Sequence, residues 1–430
     1  MKALRGVCRK LKSKIYILDV DFTKDIGGAG KASKDIIFGL ANFYEVIFIP
    51  KYAEIKNIRN DKTREAFSNF ANLLLNYGIP IPSLIIKYVI ANSDITLRGY
   101  IQILTTVIEK KALVLDLNYF PYLNPFNLQD LLKEFFFFGE IYYLKKYNKC
   151  KISALLQTLD NRPIDSHFAF ALRCLFKFHF FNLHFLFKSL YRDVKDVFII
   201  PKFIEFSDKI LLYSSGSLVS LKVKQQDKKF QILNIGNTIE KQSTILDKKN
   251  YILYFARLIP EKGIFDILYI FREILPHYDI KLVVTGKFKD DGLKGAFFHI
   301  AERYGLSKSI SYLGYVSRQD LVQLIKNAKV FLYPSHYDSF PYAILESLAV
   351  HTAVVAYSIP TQKYAFDKLE CVKFVREFDF EAMAKEAVKF LMIDKSEYAS
   401  LFQDKNVREF IRMHENGQDS AEEIANYIKI

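Results

Sequence analysis

Two cations and two carboxylates stand out in this chain for their spacing. Arg257 and Lys262 are separated by four residues in Ala256-Arg257-Leu258-Ile259-Pro260-Glu261-Lys262-Gly263. Asp338 and Glu346 are separated by seven, in a stretch reading DSFPYAILE. An arginine clamps phosphate oxygens through two donors, and a lysine supplies a compact point charge. Fixed cations of this kind act where negative charge develops in a transition state. The two acids flank the start of a helix, a place where free amide hydrogens and the positive dipole end favour an anion. The plainer alternative is a pair of loop cations facing solvent and a helix start carrying solvated acids.

The elements that must position these residues follow from apolar runs and their punctuation. Val330–Tyr333 fits a buried strand stopped by Pro334. Ser339 is a plausible N-cap, Pro341 fits a first helical turn, and the helix should run from about Phe340 to Leu348, with Tyr342 and Glu346 on one face. A second buried strand follows at Ala353–Ala356, which makes a βαβ unit of a parallel sheet. Ligands of such sheets sit at the carboxyl ends of the strands, where Asp338, Phe340, Pro341 and Tyr342 lie. Arg257 and Lys262 occupy the equivalent place after a strand at Tyr251–Phe255 and before a helix at Ile264–Ile274. Lys281–Thr285 is the next strand and closes in Gly286. Ser309–Gly314 leads to Tyr315 and Val316, and Gln319–Asn327 reads as a helix.

The first half repeats the plan. A strand at Lys14–Asp21 leads through Gly27-Gly28-Ala29-Gly30 into a helix from about Lys31 to Phe43, then a strand at Tyr44–Ile49. The glycines let a backbone approach a ligand at a helix N-terminus, although the run matches neither a dinucleotide fingerprint nor a Walker A motif. Helices are expected at Asn60–Tyr77, Gly99–Lys111, Leu128–Tyr147 and His167–Arg192, and strands at Ser83–Ile90, Ala112–Leu117 and Lys209–Tyr213. Asp116 stands at the end of one of these strands, where it could hold a hydroxyl or simply close a turn. Amphipathic helices at Asp379–Leu391 and within Asn406–Ile430 complete the chain.

At 430 residues the chain should form two domains, each with its own core. A net charge of +14 attracts nucleic acid, anionic lipid or phosphorylated ligands without choosing among them. No nucleic-acid-binding module is recognisable, so nucleic acid is not an expected partner. Cys8, Cys150, Cys174 and Cys371 are far apart, with neither redox nor metal-ligand spacing, which points to a reducing compartment. The apolar run Ile15–Val20 is too short for a signal-peptide core. In 167–192, Arg173, Lys177, His184 and Lys188 form a basic stripe beside a wide phenylalanine face. That pattern suits a helix lying in an anionic membrane interface, or a core helix with a basic solvent face.

The motifs resemble those of the retaining glycosyltransferases of family 4 (glycosyl transferases group 1), which have the GT-B fold. Arg257 to Gly263 is similar to the family's G-R-L-x-P-E-K-G run, with Ala256 in place of Gly, and DSFPYAILE is similar to its E-x7-E signature, with Asp338 as the first acid and Ser339 for Gly. Gly28, Ala29 and Gly30 are similar to the family's first loop, which closes over donor phosphates. The resemblance implies two Rossmann-like α/β domains facing a cleft (1–238 on the acceptor side, a hinge at 239–250, 251–400 for the nucleotide-sugar) and a C-terminal helix at 401–430 crossing back. It implies transfer of a sugar from a nucleotide-sugar donor to a glycan or lipid-linked acceptor, same-face, without metal or cofactor. Arg257 and Lys262 would hold the diphosphate, Asp338 the donor sugar and Glu346 the ribose. Gly286, Tyr315, Val316, Phe340, Pro341, Tyr342 and Ala343 would line the donor site, with Asp116 on the acceptor side. It implies a cytoplasmic location, peripheral at the inner face of the membrane. The departures from the motif, including the absence of the usual Gly and Pro after Ala349, leave a binding-only alternative: a GT-B glycan- or lipid-binding protein with a degenerate E-x7-E motif.

Overall fold

The computed structural model describes residues 13–19, 28–50, 61–90, 97–108, 113–116, 142, 144–146, 149–156, 167–178, 190, 201–221, 227–234, 236, 248–338, 340–415 and 418–428. The expected helix at Leu128–Tyr147 and the second half of 167–192 lie largely outside these residues, as does Ser339.

The first unit contains β1 (Lys14–Asp19), α1 (Gly28–Leu40), β2 (Glu45–Pro50), β3 (Leu113–Asp116), β4 (Lys151–Leu156), β5 (Lys209–Leu212), α2 (Gly216–Ser220) and β6 (Phe230–Ile232). Its strands pair in parallel in the order β2-β1-β3-β4-β5-β6. A parallel strand covered on both faces has no polar side to show, and Ile15, Tyr16, Ile17 and Leu18 are accordingly all buried. The chain goes from β1 to β2 on one side and to β3 on the other. That reversal opens a crevice at the carboxyl ends, where α1 begins at Gly28 and β3 ends at Asp116.

The second unit contains β7 (Lys249–Phe255), α3 (Asp266–Ile274), β8 (Lys281–Thr285), β9 (Ile310–Tyr312), α4 (Arg318–Asn327), β10 (Ala328–Tyr333), α5 (Tyr342–Ala349), β11 (Ala353–Tyr357), α6 (Pro360–Phe366), β12 (Val372–Val375), α7 (Phe380–Met392), α8 (Lys405–Met413) and α9 (Gln418–Ile428). The strand order is β12-β11-β10-β7-β8-β9, again parallel throughout. Here the reversal falls between β7 and β10. The loops after these two strands carry Lys262 and Asp338.

Several expectations are corrected. Ser83–Ile90 is a helix, not a strand. Ile85 is buried while Leu84 and Lys87 are exposed, a helical distribution, and the amides of Ile85 and Ile86 donate to Pro82 O at 2.9 and 3.2 Å. A short apolar run cannot by itself choose between the two periods. α1 starts at Gly28, inside the glycine run expected to form a loop. α5 starts at Tyr342 with Pro341 as its N-cap, so Pro341 is not in the first turn.

α9 leaves the second unit and packs on α1 of the first. A Cβ at Gly39 would lie 2.4 Å from Ala421 Cβ, so the glycine lets the two helices approach closely. Tyr44 donates to Ala425 O at 3.1 Å, and Asn234 holds the Glu423 carboxylate through its backbone amide at 2.8 Å and its side chain at 2.6 Å. A second junction joins α2 to α6. Ser214 Oγ donates to Thr361 O at 2.9 Å, and a Cβ at Gly216 would come within 2.2 Å of Pro360 O.

Candidate active site

β7 delivers its chain into an irregular loop, Ala256–Gly263, that ends in a single 3-10 turn at Pro260–Lys262. Gly263 closes that turn at φ 76°, and a Cβ there would sit 2.1 Å from Pro334 O. Only glycine satisfies both demands, so the Lys-Gly step of the sequence is explained by the contact between the two loops. On the neighbouring strand Gly286 plays a similar part. Its φ is 137°, a Cβ would lie 2.0 Å from Ala256 O, and its amide donates to Gly314 O at 2.9 Å. Gly286 therefore shapes the loops after β7 and β8.

Lys262 and Asp338 meet at the reversal. The Lys262 ammonium donates to Asp338 Oδ2 at 2.8 Å and to Tyr337 O at 2.6 Å. Both side chains are largely withdrawn from solvent, at 12% and 15% exposure, so the pair acts in a low-dielectric setting. Burial pulls the Lys262 pKa down, Asp338 pulls it back up, and the like charge of Arg257 lowers it again. Arg257 is thus an electrostatic neighbour of Lys262, with its own side chain exposed. Asp338 Oδ2 also accepts from Ser335 Oγ at 3.2 Å and from the Tyr333 hydroxyl. Burial first, and then Asp338, push the Tyr333 phenol well above its ordinary pKa, so it stays a donor.

Glu346 is buried in α5 and pairs with Arg318 at 2.6 Å. Arg318 was not expected. It lies in the first turn of α4, where the positive dipole end disfavours a cation, and that misfit was the available signal. Tyr342 shares the Glu346 face. Its hydroxyl is buried without a hydrogen-bond partner among the described residues. Its pKa is raised by burial, then by Tyr213, Asp35 and Glu346. Tyr213 and Asp35 belong to the first unit, so the start of α5 faces α1 and the end of β5 across the cleft.

The remaining expected residues are spread around this centre. Gly28, Ala29 and Gly30 form the first turn of α1, in the first unit. Tyr315 is 72% exposed and Val316 half-buried, beyond Gly314. Phe340 is turned into the core against Phe366 and His414, which leaves its backbone alone for a ligand. Pro341 is buried and Ala343 half-buried. Asp116 ends β3 at the carboxyl edge of the first sheet, in register with Ala154.

Residues 236–409 match the family described as Glycosyl transferases group 1. The matched residues span most of the second unit. Similar curated proteins include an uncharacterized glycosyltransferase of Methanocaldococcus jannaschii, 30% identical over 115 residues (27% of this chain, 29% of that one). The O-antigen chain mannosyltransferase B of Escherichia coli is 32% identical over 116 residues (26% and 29%). The capsular polysaccharide biosynthesis glycosyltransferase CapH of Staphylococcus aureus is 26% identical over 213 residues (47% and 56%). The matched stretches thus span from 29% to 56% of these relatives' length. Among solved structures, Anabaena HepE in complex with UDP and glucose superimposes with a TM-score of 0.61 at 13% identity, covering 96% of this chain and 98% of that one. A sucrose-phosphate synthase of Thermosynechococcus elongatus gives 0.63 at 14% identity, covering 96% and 98%. At such identities the likeness is one of fold, and the fold is GT-B, as the resemblance of the motifs implied.

Proposed function

We propose that this protein is a retaining glycosyltransferase of the family 4 type, moving a sugar from a nucleotide-sugar donor to a glycan or lipid-linked acceptor. The observation that carries the reading is the meeting of Lys262 and Asp338 at the reversal between β7 and β10, in the place where open parallel sheets hold ligands. Arg257 and Lys262 would take the diphosphate, and the amide hydrogens of Tyr342 and Ala343 at the start of α5 would add to them. As the sugar bond breaks, charge builds on the departing diphosphate, and cations already held in position meet it without reorganising. Asp338 would face the donor sugar and Glu346, steadied by Arg318, the ribose. The Gly28 turn of α1 would close the phosphates from the first unit, and acceptor attack would come from the same face.

One observation favours a second reading, binding without transfer: Asp338 is already paired with Lys262, and Glu346 with Arg318. Release of nucleoside diphosphate across a panel of nucleotide-sugars separates the two. We expect turnover with at least one donor, and a loss on the order of a hundredfold or more in kcat for Lys262→Ala. Wild-type turnover in that variant would remove the assignment, and diphosphate binding without turnover in the wild type would support the second reading.

The acceptor side supports contact with an anionic membrane. In the helix His167–Phe178, Phe176 is 74% exposed and Arg173 is exposed. Among the described residues no helix is long and apolar enough to cross a membrane. Sedimentation with phosphatidylglycerol vesicles should retain the wild type and release Phe176→Glu. Equal retention of both would dismiss the contact.

A further inference from the structure

His336 sits in the loop between β10 and α5 with its side chain fully buried. Its Nδ1 lies 2.8 Å from Glu377 Oε1 and its Nε2 lies 3.0 Å from Asp266 Oδ1. Asp266 opens α3 and also accepts from the Tyr357 hydroxyl at 2.8 Å, at the end of β11. The imidazole ring is flanked by Phe378, with centroids 4.5 Å apart, and by Tyr357 at 5.0 Å. Phe378 adopts φ 63°, a left-handed conformation that is costly for a bulky residue. The strain has a counterpart in the packing: it sets Glu377 and the Phe378 ring against the same histidine.

Both ring nitrogens face carboxylates, and an ionised carboxylate only accepts. Two donors are therefore needed, which is the imidazolium form. Burial works against that charge, but Asp266 and Glu377 together outweigh it and hold the His336 pKa above its ordinary value.

The backbone around His336 joins the two loops of the donor site. Its own amide donates to Glu261 O at 3.1 Å, in the turn that carries Lys262. Ser335 before it reaches Asp338, and Tyr337 after it accepts from the Lys262 ammonium. We propose that His336 is a positioning residue: clamped between Asp266 and Glu377, it fixes loop 334–338 so that Tyr337 and Asp338 hold the Lys262 ammonium in place. The proposal rests on the reading of Lys262 and Asp338 as the donor-end pair. When the ring loses its proton at alkaline pH, one carboxylate faces a lone pair and the clamp opens. The charged and titratable groups facing the ring include Asp266 from α3, Glu377 from the segment after β12, and Tyr357 from β11. Burial, followed by Asp266, keeps the Tyr357 phenol well above its ordinary pKa, so it stays protonated through the transition.

The test uses the full chain, with UDP and GDP as probes in calorimetric titrations between about pH 6.5 and about pH 9. In the wild type, affinity should fall by about tenfold or more toward the alkaline end, as expected when a binding group loses its set position. Glu377→Gln should flatten this fall, because a neutral imidazole can donate to Asp266 and accept from the new amide. Any alkaline loss due to Lys262 itself would survive in that variant, so the difference between the two profiles belongs to His336. His336→Phe fills the aromatic slot without the charge. It should weaken binding across the range and speed amide exchange at residues 335–338. Imidazole nitrogen shifts of the labelled wild type, assigned by comparison with the variants, should show the ring still doubly protonated above about pH 6.5. A ring that is neutral there, or unchanged exchange at 335–338 in His336→Phe, would overturn the proposal. So would identical pH profiles for the wild type and Glu377→Gln. If neither UDP nor GDP binds the wild type, the donor-site reading fails, and the clamp is still decided by the ring titration and the amide exchange.

Discussion

Lys248 puts an ammonium where three oxygens converge: Lys326 O at 2.9 Å, Thr352 Oγ1 at 2.9 Å and, more distantly, Val350 O at 3.4 Å. Two of these are carbonyls at the ends of α4 and α5, so the side chain ties together the far ends of the helices whose starts carry Arg318 and Tyr342. Burial, reinforced by Lys326, drives its pKa down to about 7. A lysine in the unfolded chain titrates near 10.4, so between about pH 7 and about pH 10.4 the unfolded state binds more protons. Stability then rises with pH across that window, by up to about 1.4 kcal/mol per pH unit from this group. His336 works in the opposite direction, since its raised pKa gives stability that is lost as pH rises through it. Comparing urea denaturation of the wild type and Lys248→Met at several pH values isolates the lysine. The difference between them should change steadily across the window, and a difference independent of pH would show that the ammonium stays charged throughout.

Among the elements, the loop after β7 shows most directly how sequence became site. Gly263→Ala must place a Cβ against Pro334 O in a left-handed backbone. We expect it to destabilise the protein by about 2 kcal/mol or more and to weaken UDP binding together with stability, because the strain falls on both site loops. Unchanged denaturation and binding would mean that the two loops can separate at little cost. This loop was legible in the sequence because a buried strand, a cationic spacing and a glycine fall in one short run. β8 was legible for the same reason, as a continuous apolar stretch ended by Gly286. β4, β6 and β12 were not: Ser153, Gln231 and Lys373 interrupt them, so none forms a continuous apolar run. Ser83–Ile90 was misread because β-branched residues suit a buried helix face as well as a strand. The clamp around His336 was illegible for a different reason. Asp266, His336 and Glu377 are joined only by the sheet order, which brings the end of β12 and the start of α3 to the β10 loop.

At the scale of the whole molecule, the two halves of the cleft belong to different units, and their relative placement depends on α9 and on the junction at Ser214–Thr361. The α1–α9 contact sits one helix length from the Gly28 turn, so a shift of α1 carries that turn and Asp35 with it. Gly39→Val tests this coupling, since any Cβ at position 39 meets Ala421. The variant should cost about 1–3 kcal/mol through overpacking. Amide exchange should quicken along α9 and α1 but stay slow in β7, β8 and β10, whose contacts are made within the second unit. Binding of UDP should be largely kept, because Arg257, Lys262, Asp338 and Glu346 all lie outside the disturbed helices. Turnover should fall, because the Gly28 turn and the acceptor side no longer face α5 in register. Loss of UDP binding in step with turnover would instead mean that the donor is held from both units, and that α9 is part of the donor site's architecture.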